Sequence, residues 1–216
     1  MNDKFKKIIL FLEPYKGPLL FLFLLFLFWG LWKITISGDL FDKNFDYYPE
    51  HPIGIMYFWG RDITPEWLYT ACRWLTESVS WFIHLFPNTE NLVTEDYFLY
   101  FPGETSNFII WGCTGIKQMT IFSCIMLCYL GPWKKKLWYI PMGCVILTLY
   151  NITRIGLIIM LTSGHANEQD RFDSLHDGIF RYIYYTIIFL LWLCWEELIA
   201  KKHREHDSQR KNSASA

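Results

Sequence analysis

The run Pro18–Ile36, PLLFLFLLFLFWGLWKITI, carries one charge, Lys33, close to its end. About 20 apolar residues cross a bilayer core as a helix, so this run is long enough to span. Lys4, Lys6 and Lys7 precede it, as in an export signal. The apolar stretch is too long for the core of such a signal, however, and no small-x-small cleavage site follows. More apolar runs come later, so this one reads as an anchor and first span.

Three further stretches qualify: Trp111–Leu130, Leu137–Thr162 and Ile179–Ala200. The segment Trp67–Phe86 is rich in aromatics but also holds Arg73, Glu77 and His84, which makes a poor span. It reads as an amphipathic helix at the membrane interface or on the bundle. Thr64 and Pro65 are its expected N-cap and first helical position.

Lys and Arg placement sets the orientation. Bases gather before the first run, at Lys134, Lys135 and Lys136, and after Ala200. Segments 37–110 and 163–178 are acidic. Both termini and the lysine turn are therefore expected in the cytoplasm. A crossing at 67–86 would move the lysines outside, so four spans are expected. The expected fold is all-α, a multi-pass transmembrane bundle with an interfacial helix and a small extracytoplasmic hairpin. The chain is one integral membrane domain: 1–17 inside, spans at 18–36, 111–130, 137–162 and 179–200, an outer segment 37–110, and a tail 201–216. Weak alternation over Leu92–Ile110, with a turn at Pro102-Gly103, predicts the hairpin, its second strand (Asn107–Ile110) running into the second span.

Composition removes several function classes. Lys+Arg 20 against Asp+Glu 21 leaves a net charge of -1, which excludes a globally basic nucleic-acid binder. A hydrophobic content of 52% excludes a disordered chain. The Cys count of 6 is too low for a disulfide scaffold. No HExxH cluster or Gly-rich phosphate loop occurs, so no metal and no cofactor is expected. An outward CxxC pair, which a quinone-linked thiol-redox protein would carry, is also missing.

Polar residues inside spans are expensive and call for a reason. Arg154 lies about 12 Å below Thr162 along the third span. Asn151 shares its face, three residues earlier. Cys113 opens the second span in WGCTGIKQ. Gly112 and Gly115 flank it and permit close approach. A helix N-terminus and a nearby cation both favour a thiolate, and Lys117 follows four residues on. His176 lies in SLHDGIF just before the fourth span, with His165 a competitor in the same loop. Three helices thus bring a thiol, a guanidinium and an imidazole to one side of the membrane. That set suits acyl transfer through a thioester. Cys124, Cys128, Cys144 and Cys194 read as buried apolar side chains. Cys72 and Cys113 are the two cysteines on the outer side, and a bridge between them would silence the chemistry.

These residues give the chain a resemblance to the exosortase/archaeosortase family. The family pattern is Cys, then Ser or Thr, Gly, an aliphatic and often a base, here Cys113-Thr114-Gly115-Ile116-Lys117. Next comes Asn, two residues, then Arg, here Asn151-Ile152-Thr153-Arg154. Last is a His shortly before a Gly and a helix, here His176-Asp177-Gly178. The likeness covers roughly residues 107–190, and the modest number of spans is similar to short members, including those of the Bacteroidetes. Lys117 stands where Arg is frequent. The resemblance implies a cysteine transpeptidase or protease at the outer face of the inner membrane. Catalytic Cys113, Arg154 and His176 would be supported by Asn151, Lys117, Gly115 and Thr114, with Asn151 bonded to Arg154. The implied partners are exported proteins with a C-terminal sorting signal (a motif, a transmembrane helix and a basic tail), beside membrane lipid. The competing reading is a non-catalytic membrane assembly or export factor.

Overall fold

A computed structural model of the chain describes residues 15–39, 52–103, 106–163 and 180–203. The described part is mostly helical, with two small sheets at one end of the bundle. Helix α1 is Lys16–Thr35 and leads directly into strand β1, Ile36–Asp39. Strands β2 (Ile55–Phe58) and β3 (Arg61–Asp62) complete an antiparallel sheet in the order β1-β2-β3. Helix α2 is Glu66–Ile83. A second antiparallel sheet follows, with β4 (Val93–Glu95), β5 (Phe98–Tyr100) and β6 (Asn107–Phe108). A 3-10 turn at Trp111–Thr114 then leads into α3, Ile116–Cys128. Helices α4 (Trp133–Thr162) and α5 (Phe180–Trp195) close the bundle, and α5 continues into a π-helical turn at Glu196–Ala200.

Among the described residues, three helices are long and apolar enough to cross a membrane: Lys16–Thr35, Trp133–Thr162 and Tyr182–His203. The expected second span differs. A uniform helix over 111–130 does not form, because Gly115 takes φ 72 and breaks the run between the 3-10 turn and α3. What remains is a 13-residue helix, about 20 Å long against a core of about 30 Å.

The main core lies between α1, α3, α4 and α5. Phe122, Tyr129, Leu147, Tyr184, Trp192 and Trp195 are its large buried side chains. Phe21 of α1 stacks on Trp192 with ring centroids 4.6 Å apart. At the far end Lys136 is buried, and its Nζ donates to the carbonyls of Leu127 and Tyr129. These carbonyls end α3 and have no partner within it, so the lysine caps that helix. The three lysines therefore sit in the first turn of α4 rather than in a free loop.

Helix α2 is strongly one-sided. Leu68, Cys72, Leu75, Val79 and Ile83 are buried at helical spacing, while Trp67, Trp74 and Trp81 form an exposed stripe. Its inner face packs on α4, where Gly156 lets Phe82 approach; a Cβ there would stand 2.5 Å from the ring. Its start departs from expectation. Pro65 is the N-cap and Glu66 the first helical residue. Thr64 does not cap. Its hydroxyl accepts from the Met56 N–H and donates to Asp62, tying down the β2–β3 sheet.

Segment 37–110 also holds more strand than the alternation predicts. Glu95 and Phe98 close a tight hairpin between β4 and β5, and Asn107–Phe108 adds as a third strand rather than the second. The β1–β3 sheet was not expected at all. Its strands are two to four residues long, too short for a period-of-two pattern to register.

Candidate active site

Cys113 lies in the 3-10 turn, held from both sides. Its N–H donates to Ile110 O at 2.9 Å. Its carbonyl accepts from Asn151 Nδ2 at 2.6 Å, which joins the turn to α4. Upstream, Trp111 N–H donates to Ile53 O at 3.0 Å, so the first sheet's approach also anchors the turn. Gly115 ends the turn in the left-handed region, where a side chain is strained. Space forbids one as well: a Cβ on Gly115 would stand 2.7 Å from the Tyr184 hydroxyl.

Arg154 follows Asn151 by three residues, so the two share a face of α4. Both are buried, at 8% and 1% exposure. Arg154 Nε has no hydrogen-bond partner among the described residues, and no described acid forms an ion pair with it. Cys113 and Arg154 line one cavity of about 40 Å³. Its other walls are Asn107, Phe108 and Ile109 from β6 and its exit, and Ile155, Ile158 and Ile159 from α4. A buried cation is costly unless something neutralises or solvates it. Beside a thiol, that unsatisfied donor is an electrostatic resource for a thiolate or an oxyanion.

The remaining expected residues are placed differently. Thr114 turns its hydroxyl back to Trp111 O at 2.6 Å and serves the turn's own geometry. Lys117 faces away from the Cys113–Arg154 cavity. Its Nζ lies 6.0 Å from the Trp29 ring centroid, in a separate cleft with Leu25, Phe26 and Tyr185. The cation beside the thiol is therefore Arg154. Asn151 bonds the Cys113 carbonyl, not Arg154. His176 and His165 lie outside the described residues. Cys72 and Cys113 are both free thiols, so no bridge joins them. Cys72 is fully buried among Ile53, Met56, Leu68, Tyr97 and Trp111, and burial, helped by the nearby Cys113, pushes its thiol up to about 12.

Sequence reasoning did not single out Tyr150 and Tyr184. Tyr184 is 1% exposed and its hydroxyl donates to Leu147 O at 3.3 Å. Tyr150 donates to Phe180 O at 2.9 Å. A phenol inside an apolar span needs a partner for its hydroxyl, and that need is the signal that would have marked them.

Comparison with curated proteins gives no match, and comparison with solved structures gives none. Among protein families, the one described as transmembrane exosortase matches residues 51–193, a stretch that contains α2, the Cys113 turn and the Asn151–Arg154 face. With that match over most of its length and three helices able to cross a bilayer, the chain is a membrane protein that belongs to the transmembrane exosortase family.

Proposed function

We propose that the protein is a membrane-embedded cysteine transpeptidase or protease that cleaves the C-terminal sorting signal of exported proteins. The observation that carries this reading is Arg154: a buried guanidinium with an orphan Nε, in the same cavity wall as the Cys113 thiol. Cys113 Sγ attacks the scissile carbonyl and forms the C–S bond. The oxyanion that develops is held by Arg154. His176 takes the thiol proton and passes it to the leaving amine as the C–N bond breaks. The thioester is then resolved by an acceptor amine, giving transfer, or by water, giving hydrolysis.

In this reading α3 is the fourth crossing element beside α1, α4 and α5. Both termini are cytoplasmic, and the reacting groups face the outer side of the inner membrane. Helix α2 lies in the interface, its Trp67, Trp74 and Trp81 stripe at headgroup level. A substrate anchored in the same bilayer meets the site at high effective concentration.

The test compares the C-termini of exported proteins, by mass spectrometry, from cells carrying wild type, Cys113→Ala, Arg154→Ala or His176→Ala at matched membrane levels. Exported proteins that lose their C-terminal helix only with wild type support cleavage. Identical C-termini in all four, together with a phenotype on deletion, replace it with the assembly-factor reading.

A further inference from the structure

We infer that Tyr184 and Tyr150 are positioning residues, which hold the thiol-bearing turn and the start of α5 against the Asn151–Arg154 face of α4. The assignment rests on the reading of Cys113 as nucleophile.

Leu147, Asn151 and Arg154 follow one another at helical spacing along one face of α4. Each is tied to the site in a different way. Arg154 shares the cavity with Cys113. Asn151 holds the Cys113 carbonyl at 2.6 Å. The Leu147 carbonyl receives the Tyr184 hydroxyl at 3.3 Å. That same hydroxyl sits against Gly115, at 2.7 Å from where a Cβ would be. The glycine that ends the turn is therefore wedged between α5 and Asn151, whose amide carbon stands 3.5 Å from the same point. The turn is fixed by a hydrogen bond at Cys113 and by contact at Gly115.

Tyr150 extends the contact to the beginning of α5. Its ring meets the Tyr184 ring edge-on, with centroids 5.2 Å apart at 87°. Its hydroxyl donates to the carbonyl of Phe180, the first residue of α5. His176 precedes Phe180 by four residues in the sequence. One aromatic pair thus registers three chain segments: the Cys113 turn, the Arg154 face and the start of α5. Phenylalanine would fill the same space in each case. What the hydroxyls add is two defined bonds to backbone carbonyls, which set geometry rather than volume.

The full-length protein in membranes gives two readouts for each variant. One is the rate of Cys113 alkylation by iodoacetamide, read from the Cys113 peptide by mass spectrometry. The other is processing of exported C-termini. Tyr184→Phe and Tyr150→Phe are each expected to change the alkylation rate several-fold and to lower processing about tenfold, since small misplacements of reacting groups cost rate steeply. Tyr182→Phe, at a side chain 73% exposed, is the control and leaves both unchanged. Gly115→Ala is expected to lose nearly all processing. Alkylation and processing at wild-type levels in Tyr184→Phe and Tyr150→Phe overturn the assignment. If the wild type processes nothing, the proposed function fails, yet the alkylation rates still decide whether the tyrosines set the thiol.

Discussion

The side-chain amide of Asn151 donates to the backbone carbonyl of Cys113 at 2.6 Å. This bond ties a residue of α4 to a turn 38 positions earlier in the chain and leaves Asn151 Oδ1 without a described partner. Removing it strands a half-buried carbonyl. Asn151→Leu is expected to lower stability by about 1–3 kcal/mol and to lower processing further than that loss alone explains. Thermal unfolding in detergent beside processing at matched protein levels checks this. Full processing in a destabilised variant would mean that Asn151 serves folding only.

Arg154 presents a planar, permanently charged group in a buried position. Lysine keeps the charge but loses the fork and hydrates more strongly. Arg154→Lys is therefore expected to lower turnover about a hundredfold, nearly as far as Arg154→Gln. Steady-state rates on one anchored substrate measure the two. A lysine variant close to wild type would show that charge alone suffices.

The Cys72 thiol is held at about 12 by burial. Raising an acid's pKa keeps it protonated, so Cys72 stays neutral through pH 9 and its thiolate grows only at higher pH. Iodoacetamide should leave Cys72 unmodified in the folded protein from pH 7 to 9 and modify it once the protein is denatured. Cys72→Ala should still process. Fast native labelling of Cys72 would place a second reactive thiol beside Cys113.

The exposed stripe Trp67, Trp74 and Trp81 sits opposite the buried face of α2. Fluorescence lost on replacing all three by Phe should be quenched more by lipids brominated near the headgroups than by lipids brominated near the chain ends. Equal, negligible quenching by both would lift α2 off the membrane.

Much of this was legible because apolar runs and intramembrane polar residues are costly signals. The apolar runs 18–36 and 137–162 overlap the helices Lys16–Thr35 and Trp133–Thr162, and polar chemistry in apolar context singles out Cys113 and Arg154, which line one cavity. The broken second span was not legible, since hydropathy averages over Gly115 and does not register a positive φ. Lys117 misled for a related reason. Sequence spacing puts it one turn from Cys113, but the 3-10 turn and Gly115 rotate α3 so that it meets Trp29 instead. The Thr64 cap failed because a strand amide, Met56 N–H, competed for the same hydroxyl.

Helix α4 also serves as a ruler. Counted from Lys136, at the end of the basic run, Asn151 stands about 22 Å along the helix axis, whereas the hydrocarbon slab is about 30 Å thick. On the proposed reading, with α4 upright and Lys136 at the inner surface, the carbonyl that Asn151 holds would lie about 8 Å beneath the far surface of the slab. An extended chain advances about 3.3 Å per residue, so on that reading a scissile bond would have to be drawn two or three residues down from the surface. A substrate that begins its own helix at the waterline would have to unwind its first turn to be cut. The depth of one turn would thus limit how far apart a cleavage site and its anchor can lie along such a substrate.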